Sequence, residues 1–217
     1  MKQKHYIDFH KGATFVYILG LIYIFNDKIF ASNTSNSISI YIYLALHGTY
    51  GILWILKSNI FPDKQWEQKC SIWYGLLIWF GLSLYWIAPY IIINYNIPNN
   101  IHPSHWYITI SIFMYVIGVF LHFTSDMQKF IQLKYNPDKL ITDVMFKKIR
   151  NINYLGELLI YLGFSMLAMN WIPIIALLSF VLIIWIPNMI RKDKSLSKYD
   201  NFNEYKKQSS TFFPFIW

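Results

Sequence analysis

The segment IWYGLLIWFGLSLYWIAPYIII, residues 72–93, carries no charged side chain and is long enough to cross a lipid bilayer, which takes about 20 apolar residues. Similar apolar runs recur along the chain. They predict six membrane spans, at residues 12–31, 38–57, 70–94, 106–125, 154–170 and 172–190. The predicted fold is therefore an all-α polytopic membrane bundle of six helices, or seven if a segment near 127–140 re-enters the membrane.

The composition favours the same class of protein. Of the 217 residues, 55% are hydrophobic and 14% are charged, whereas a soluble domain carries about 25% charged residues. This length allows one compact bundle and no separate soluble domain. The single cysteine, Cys70, excludes an internal disulfide and a multi-cysteine metal site. No metal site is predicted, since no histidine cluster has the spacing of metal ligands.

The positive charges predict the orientation of the bundle. All 19 lysines and arginines except Lys28 fall within residues 1–11, 57–69, 126–153 and 191–217. Basic residues concentrate on the cytoplasmic side of membrane proteins, so both termini are expected in the cytoplasm. The net charge of +8 is then mostly a topology signal, and no nucleic-acid partner is expected. The first span is interrupted by Asp27, and a signal peptide is its alternative interpretation, although no small-residue cleavage motif follows.

A polar stripe interrupts the fifth predicted span. Asn153, Tyr154, Glu157 and Tyr161 are three or four residues apart and share one helix face, and Gly156 allows close approach of another helix. A carboxylate within lipid costs several kcal/mol and usually faces a bundle interior or a cavity. Glu157 is therefore predicted to mark a functional site. The alternative is an interhelical hydrogen-bond seam with a neutral, protonated Glu157.

Two further polar pairs lie on predicted helices. His122 and Asp126 are four residues apart at the end of the fourth span, so they share a helix face. His47 and Tyr50 lie in the middle of the second span among small residues. His47 either donates a proton or bridges two helices, and Asp126 either binds a ligand or is a solvated residue at a helix end.

The basic segment 126–153 leads directly into the polar stripe. Its cations could pair with phosphates, bind anionic lipid headgroups or simply follow the positive-inside rule. The chain has no phosphate-binding P-loop, no G-x-G-x-x-G fingerprint and no H-E-x-x-H motif. Neither an inverted repeat nor a pair of broken helices indicates a transporter.

Several sequence elements follow one another in the second half of the chain. They are Ser125-Asp126-x-x-Lys129, Leu140-Ile141-Thr142-Asp143-x-x-Phe146, Arg150-Asn151-Ile152-Asn153-Tyr154-Leu155-Gly156-Glu157, Arg191-Lys192-Asp193-Lys194-Ser195-Leu196, Tyr199, Phe202, Tyr205 and Phe213-Pro214-Phe215. In order and spacing, these elements resemble the C-terminal domain of the steroid 5-alpha-reductase family, in its bacterial and protist branch. The proline of the family's R-x-P-N-Y-x-G-E box is replaced by Ile152.

The resemblance implies a membrane oxidoreductase that uses NADPH to reduce a C=C bond, typically conjugated to a carbonyl, in a sterol, isoprenoid or related lipid. Residues 121–217 would form the cofactor-binding half, and residues 1–120 the half that binds the lipid substrate. The expected compartment is the endoplasmic reticulum of a eukaryote or the inner membrane of a bacterium.

The resemblance also assigns roles to individual residues. Glu157 would hold the nicotinamide carboxamide and orient the ring. Beside the resemblance, we hypothesise that an acid such as Tyr50 or His47 polarises the carbonyl or supplies the proton. The expected cofactor-binding residues are Asp126, Lys129, Arg150, Asn153, Tyr154, Glu157, Arg191, Tyr199 and Tyr205, with Arg150 and Arg191 as phosphate partners.

Two alternatives stay open at this stage. One is an S-adenosylmethionine-dependent membrane methyltransferase of the isoprenylcysteine carboxyl methyltransferase type, which shares the last helical hairpin. Such enzymes usually end with R-x-x-x-E-E-x-x-L, whereas this chain has Arg191-Lys192-Asp193-Lys194-Ser195-Leu196 at that place. The other alternative is a non-enzymatic membrane scaffold.

Overall fold

The computed structural model describes residues 1–31 and 34–214, with residues 34–36 described by their backbone alone. Within these ranges the chain is helical and forms no named strand. The α-helices are α1 (Gln3–Ile24), α2 (Asn26–Phe30), α3 (Thr34–Ile60), α4 (Ile72–Ser83), α5 (Ile87–Ile91), α6 (His105–Tyr135), α7 (Ile152–Met166), α8 (Trp171–Phe180), α9 (Ile186–Leu196) and α10 (Phe202–Gln208). The predicted all-α class is confirmed for this part of the chain.

Several of these helices join into longer rods. A 3₁₀ turn at Leu84–Trp86 joins α4 to α5, and a π-helical turn at Ile92–Asn96 continues α5. Pro89 lies within this rod and has no N–H to donate, which is a common cause of such irregular turns. A second π-helical turn, Val181–Trp185, joins α8 to α9 just before Pro187.

Five helical segments in the described residues are long and apolar enough to cross a membrane. They are Gln3–Ile24, Ser37–Ile60, Ile72–Asn96, His105–Tyr135 and Trp171–Leu196. The predicted span at 154–170 forms α7, whose 15 residues are short for a bilayer crossing. No separate re-entrant helix occurs near 127–140, because α6 continues without a break to Tyr135. The count of six spans and the cytoplasmic termini stay predictions.

The chain divides into two compact units. The first consists of Met1–Tyr115 and Tyr161–Ala176, and the second of Val116–Ile160 and Leu177–Trp217. In the first unit α1 packs mainly against α3. Several of its most deeply buried side chains are large and apolar or aromatic, among them Ile18, Ile40, Tyr43, Tyr50, Phe164 and Leu167.

The chain start is tied to the loop between α3 and α4. The Lys2 ammonium lies 2.5 Å from a Glu67 carboxylate oxygen, and Lys4 pairs with the other oxygen. These hydrogen bonds lower the pKa of Glu67 to about 2, so the carboxylate is ionised at neutral pH. Backbone bonds reinforce the tie, with the Gln3 N–H donating to the Gln68 carbonyl at 3.0 Å. Lys2 and Lys4 therefore form ion pairs with Glu67. Their positive charges also support the predicted cytoplasmic N-terminus.

The second unit depends on a close crossing of α6 and α7. A Cβ atom added to Gly118 would lie 2.6 Å from the Gly156 carbonyl oxygen and 2.7 Å from the Ile160 nitrogen. A Cβ atom on Gly156 would lie 2.8 Å from the Gly118 oxygen. Since these neighbours are backbone atoms, neither position can accept a larger residue unless the helices separate.

This crossing predicts the effect of an alanine at Gly118. Gly118→Ala should destabilise the protein by about 1–3 kcal/mol, because the added methyl group forces two backbones apart. Gly20→Ala is the matched control, since a Cβ atom there would meet nothing within 4 Å. The control should be neutral or stabilising, as alanine is a better helix former than glycine. Thermal unfolding in detergent, followed by circular dichroism, measures the unfolding midpoints of both variants. Equal midpoints would contradict the close contact of α6 with α7 at Gly118.

Candidate cofactor site

The C-terminal part of α6 and the start of α7 bring together the polar residues of the second unit. The His122 Nδ1–H donates to the backbone carbonyl of Asn153 at 3.1 Å, across the glycine crossing. The Asp126 carboxylate lies 3.8 Å from His122 Nε2 and 3.9 Å from the Lys129 ammonium. His122 and Asp126 are 2% and 4% exposed. Asp126 is therefore a buried carboxylate between two cationic or polar neighbours rather than a solvated helix end.

Asn153 supplies the clearest sign of a ligand in this cluster. Its side-chain oxygen is buried and, among the described residues, accepts no hydrogen bond. Leaving a buried acceptor unsatisfied costs about 1–3 kcal/mol, and most such groups in native proteins are satisfied. A ligand that presents an N–H or O–H group would satisfy this oxygen. A dinucleotide carries such donors on its amide, its amino group and its riboses, so the residues present fit this class of cofactor.

Glu157 follows Asn153 by one turn of α7 and is half-buried. Tyr154 packs against Trp185, with ring centroids 5.6 Å apart and planes at 60°. The structure thus places Asn153 and Glu157 on one helix face, and His122, one turn before Asp126 on α6, contacts the backbone of this part of α7. Glu157 was expected to hold the nicotinamide carboxamide, and Asp126 and Asn153 were expected to contact the cofactor.

Arg150 has a different environment from the one expected of a phosphate ligand. It is 3% exposed, and all three of its guanidinium nitrogens donate to protein oxygens. Nη2 donates to Asp193 at 2.9 Å and to the Thr211 hydroxyl at 2.7 Å, and Nη1 donates to the Ser209 carbonyl at 2.5 Å. The predicted role as phosphate partner stays a prediction, but in this structure Arg150 ties α9 and the C-terminal segment to the start of α7.

Neighbouring residues reinforce this tie. The Lys192 ammonium donates to the Arg150 carbonyl at 2.8 Å and to the Asn151 side-chain oxygen at 3.1 Å. The Asn151 amide in turn donates to the Thr211 carbonyl at 2.8 Å. Lys192 was not expected to have a structural role, because from the sequence it is one of several basic residues near the chain end.

The remaining predicted residues of the second unit differ in exposure. Arg191 is exposed on α9, where it donates to the Asn188 side chain at 2.6 Å. Tyr199 is half-buried in the turn after α9. Tyr205 is buried, and its hydroxyl donates to the Phe146 carbonyl at 2.6 Å. Burial raises the pKa of Tyr205 to about 12, so its phenol keeps the proton that this bond needs. Phe215 of the closing motif lies outside the described residues.

The first unit contains the two predicted acids, His47 and Tyr50. His47 Nδ1 lies 2.9 Å from the Tyr43 hydroxyl, and its ring stacks on Phe164 with centroids 4.1 Å apart. The Tyr50 hydroxyl accepts a hydrogen bond of 2.9 Å from the ammonium of Lys11. Both residues are buried in the core of this unit.

Lys11 is a buried charged residue whose sequence position predicted only a topology signal. Its position could have been found from the spacing of α1, because Ile7, Lys11, Thr14 and Ile18 are three or four residues apart and all are buried. The predicted first span began at residue 12, one residue too late to include it. In the residues that the structure describes, no three His, Cys, Asp or Glu side chains could hold a metal ion.

Comparison with known proteins identifies a family. A family model described as 3-oxo-5-alpha-steroid 4-dehydrogenase matches residues 74–217, which is more than half of the chain. This match confirms the resemblance to the steroid 5-alpha-reductase C-terminal family. No curated protein and no solved structure matches the chain.

The Arg150 tie predicts a large effect on stability. Arg150→Met should destabilise the protein by about 3–5 kcal/mol, because Asp193, the Ser209 carbonyl and the Thr211 hydroxyl lose their buried donor. Arg191→Met should change stability by no more than about 0.5 kcal/mol, since the residue is exposed. Thermal unfolding in detergent compares the two variants. Similar unfolding midpoints for both variants would show that the hydrogen bonds of Arg150 contribute little to the stability of the protein.

Proposed function

Because the chain belongs to the 3-oxo-5-alpha-steroid 4-dehydrogenase family, we propose that it is a membrane-embedded NADPH-dependent reductase of a C=C bond conjugated to a carbonyl. The family implies an oxidoreductase, and the five long apolar helices are those of an integral membrane protein. A sterol, isoprenoid or related lipid is the proposed substrate class, since such a molecule reaches the enzyme from the bilayer.

The buried side-chain oxygen of Asn153 is the observation that carries this proposal. It needs a donor, and it lies on the same face of α7 as Glu157. A carboxamide has two N–H bonds, which a carboxylate and an amide oxygen one turn apart can both accept. Asn153 and Glu157 would therefore hold the nicotinamide amide, with Asp126 and Tyr154 beside them. When bound, the reduced nicotinamide would supply the hydride.

The phosphates of the cofactor need cations that are accessible. Arg191 is exposed, and Lys129 is half-buried beside Asp126. Arg150 could bind a phosphate only by giving up donors that now hold Asp193, Ser209 or Thr211. We therefore assign phosphate binding to Arg191 and Lys129 first. Arg150 would act by holding the segment that carries Tyr205.

Tyr50 is the favoured acid of the first unit. The Nδ1 atom of His47 is already hydrogen-bonded to Tyr43, and one face of its ring is covered by Phe164. The Tyr50 oxygen accepts from a cation, which polarises its O–H bond. A polarised phenol can donate to a substrate carbonyl, and this is the contribution required of a general acid.

Cofactor titration of the purified protein tests the proposal. NADPH should bind and raise the unfolding midpoint, because a ligand that binds only the folded state stabilises it. Calorimetry with NADPH, NADH and S-adenosylmethionine separates the candidate cofactors. Stabilisation by S-adenosylmethionine alone would favour the methyltransferase, and no effect of any of them on folded protein would favour a scaffold.

Two substitutions locate the site. Glu157→Gln and Asn153→Leu should each weaken NADPH binding about tenfold or more, which corresponds to about 1.4 kcal/mol. The first replaces a charged acceptor with a neutral one, and the second removes the buried oxygen. Glu204→Gln, at an exposed carboxylate on α10, is the matched control and should bind NADPH like the wild type. Wild-type affinity in both site variants would contradict the assignment.

A further inference from the structure

The last turns of α6 have apolar side chains on their outer face. Met127, Ile131 and Tyr135 are four residues apart, so they share one helix face, and all three are exposed. On the inward side, Asp126 is buried. A surface helix of a soluble protein has the opposite arrangement, because its apolar face packs on the core. This part of α6 is therefore suited to surroundings that favour apolar groups.

The length of α6 shows which surroundings these are. Its 31 residues extend about 46 Å, at about 1.5 Å per residue. The hydrocarbon core of a bilayer is about 30 Å thick, and the headgroup regions bring the total to about 40–45 Å. The apolar sequence of the predicted span ends at residue 125, whereas α6 ends at Tyr135. The turns after residue 125 therefore lie at the level of the phospholipid headgroups.

Val144, in the segment that follows α6, has a strained backbone and an exposed side chain. Its φ is 47°, in the left-handed region, where a β-branched residue is rare because of steric strain. Its side chain is 74% exposed. Glycine or asparagine would adopt this conformation with less strain, and asparagine would suit contact with water better. Neither the backbone conformation nor an aqueous surface therefore accounts for a valine at this position.

Gln128 holds Val144 in this position. Its side-chain N–H donates to the Asp143 carbonyl at 3.1 Å, and its side-chain oxygen accepts from the Met145 N–H at 3.0 Å. One amide thus binds the backbone on both sides of Val144, much as a neighbouring strand would. Ile131 lies three residues beyond Gln128 and shares its side of the helix. Val144 is therefore placed beside the exposed apolar stripe of α6.

This stripe continues the lipid-facing side of the helix. Phe120 lies seven residues before Met127, which is two helical turns, and it is also exposed. It belongs to a segment that is long and apolar enough to cross a membrane. At the other end of the stripe, the Lys134 ammonium lies 5.4 Å from the centroid of the Tyr135 ring. Lysine and tyrosine suit a membrane interface, since each has an apolar part and a polar tip.

We propose that this surface anchors the second unit in the phospholipid headgroup layer. It is named here the headgroup anchor and consists of Met127, Ile131, Lys134, Tyr135 and Val144. Its apolar and aromatic side chains contact the first carbons of the acyl chains, and its ammonium pairs with lipid phosphates. All of these residues belong to the second unit. Such an anchor does not depend on the proposed reaction.

The headgroup anchor also sets the depth of the polar cluster on the other side of α6. Asp126 directly precedes Met127, and its carboxylate lies 3.8 Å from His122 Nε2. Anchoring therefore places this cluster just inside the membrane surface. A water-soluble ligand reaches such a depth without crossing the hydrocarbon core.

Nitroxide labels on single cysteines measure the depth of the headgroup anchor. The full chain with Cys70→Ser is the background, because a serine hydroxyl can replace the weak bond of the Cys70 thiol to the Met1 carbonyl. The protein is placed in vesicles of phosphatidylcholine and phosphatidylglycerol. Electron paramagnetic resonance then compares collisions of each label with oxygen, which dissolves in lipid, and with a nickel chelate, which stays in water.

Labels on Val144→Cys and Ile131→Cys should collide with oxygen more often than with the chelate, as should the lipid-facing reference Phe120→Cys. Asp138→Cys is the matched control, since it is an exposed polar position in the segment between α6 and Val144, and it should show the reverse order. Chelate collisions at Val144 and Ile131 as frequent as at Asp138 would overturn the proposal. Low collision rates with both reagents would also overturn it, because protein, such as a second copy of the chain, would then cover this surface.

A second pair of variants tests how Val144 is held. With the label on Val144→Cys, Gln128→Ala should increase both the mobility of the nitroxide and its collisions with the chelate, because both backbone bonds are lost. Gln132→Ala is the matched control: it removes a bond of 3.1 Å to the Asp143 carboxylate and keeps those backbone bonds. It should leave the label nearly unchanged. Equal spectra for the two variants, with circular dichroism showing both folded, would overturn the role of Gln128.

Discussion

The absence of side chains at Gly118 and Gly156 is the constraint on which the candidate cofactor site depends. With two glycines at the crossing, the backbones of α6 and α7 come close enough for His122 to donate to the Asn153 carbonyl. That bond fixes the start of α7 next to the turn of α6 that contains His122. His122 and Asn153 are then neighbours even though they are 31 residues apart in the sequence. A methyl group at either glycine would separate the helices and, with them, these two residues.

Buried cations organise both units, and each is held by oxygen atoms rather than by solvent. Arg150 donates to Asp193, Ser209 and Thr211, and so it fixes the C-terminal segment. Lys11 donates to two phenols in the core of the first unit. In apolar surroundings such groups are costly unless every donor is used, so their partners are as important as the charges. Removal of one partner leaves a desolvated charge behind, so a single substitution in such a network is expected to be costly.

The sequence predicted what depends on local composition. Apolar runs marked the long helices, and the spacing of Asn153, Glu157 and Tyr161 predicted one polar face of α7. The sequence could not distinguish between cations that obey the positive-inside rule and cations that are buried, because both types stand next to apolar runs. From charge and position alone, Arg150, Lys192 and Lys11 could not be told apart, whereas the structure buries Arg150 and Lys11 and gives each its own partners. These partners come from distant parts of the chain, such as Thr211 and Tyr161, and no local pattern indicates them.

The chemical identity of the partner decides what a buried cation can do. The Asp193 carboxylate only accepts from Arg150, so this pairing neutralises charge and fixes geometry. A phenol that accepts from Lys11 still carries a proton of its own, and the neighbouring charge makes that proton a better donor. The first arrangement is suited to holding a segment in place. The second is suited to stabilising an oxygen that becomes negative during a reaction, because a donor that is already oriented needs no reorganisation when the charge develops.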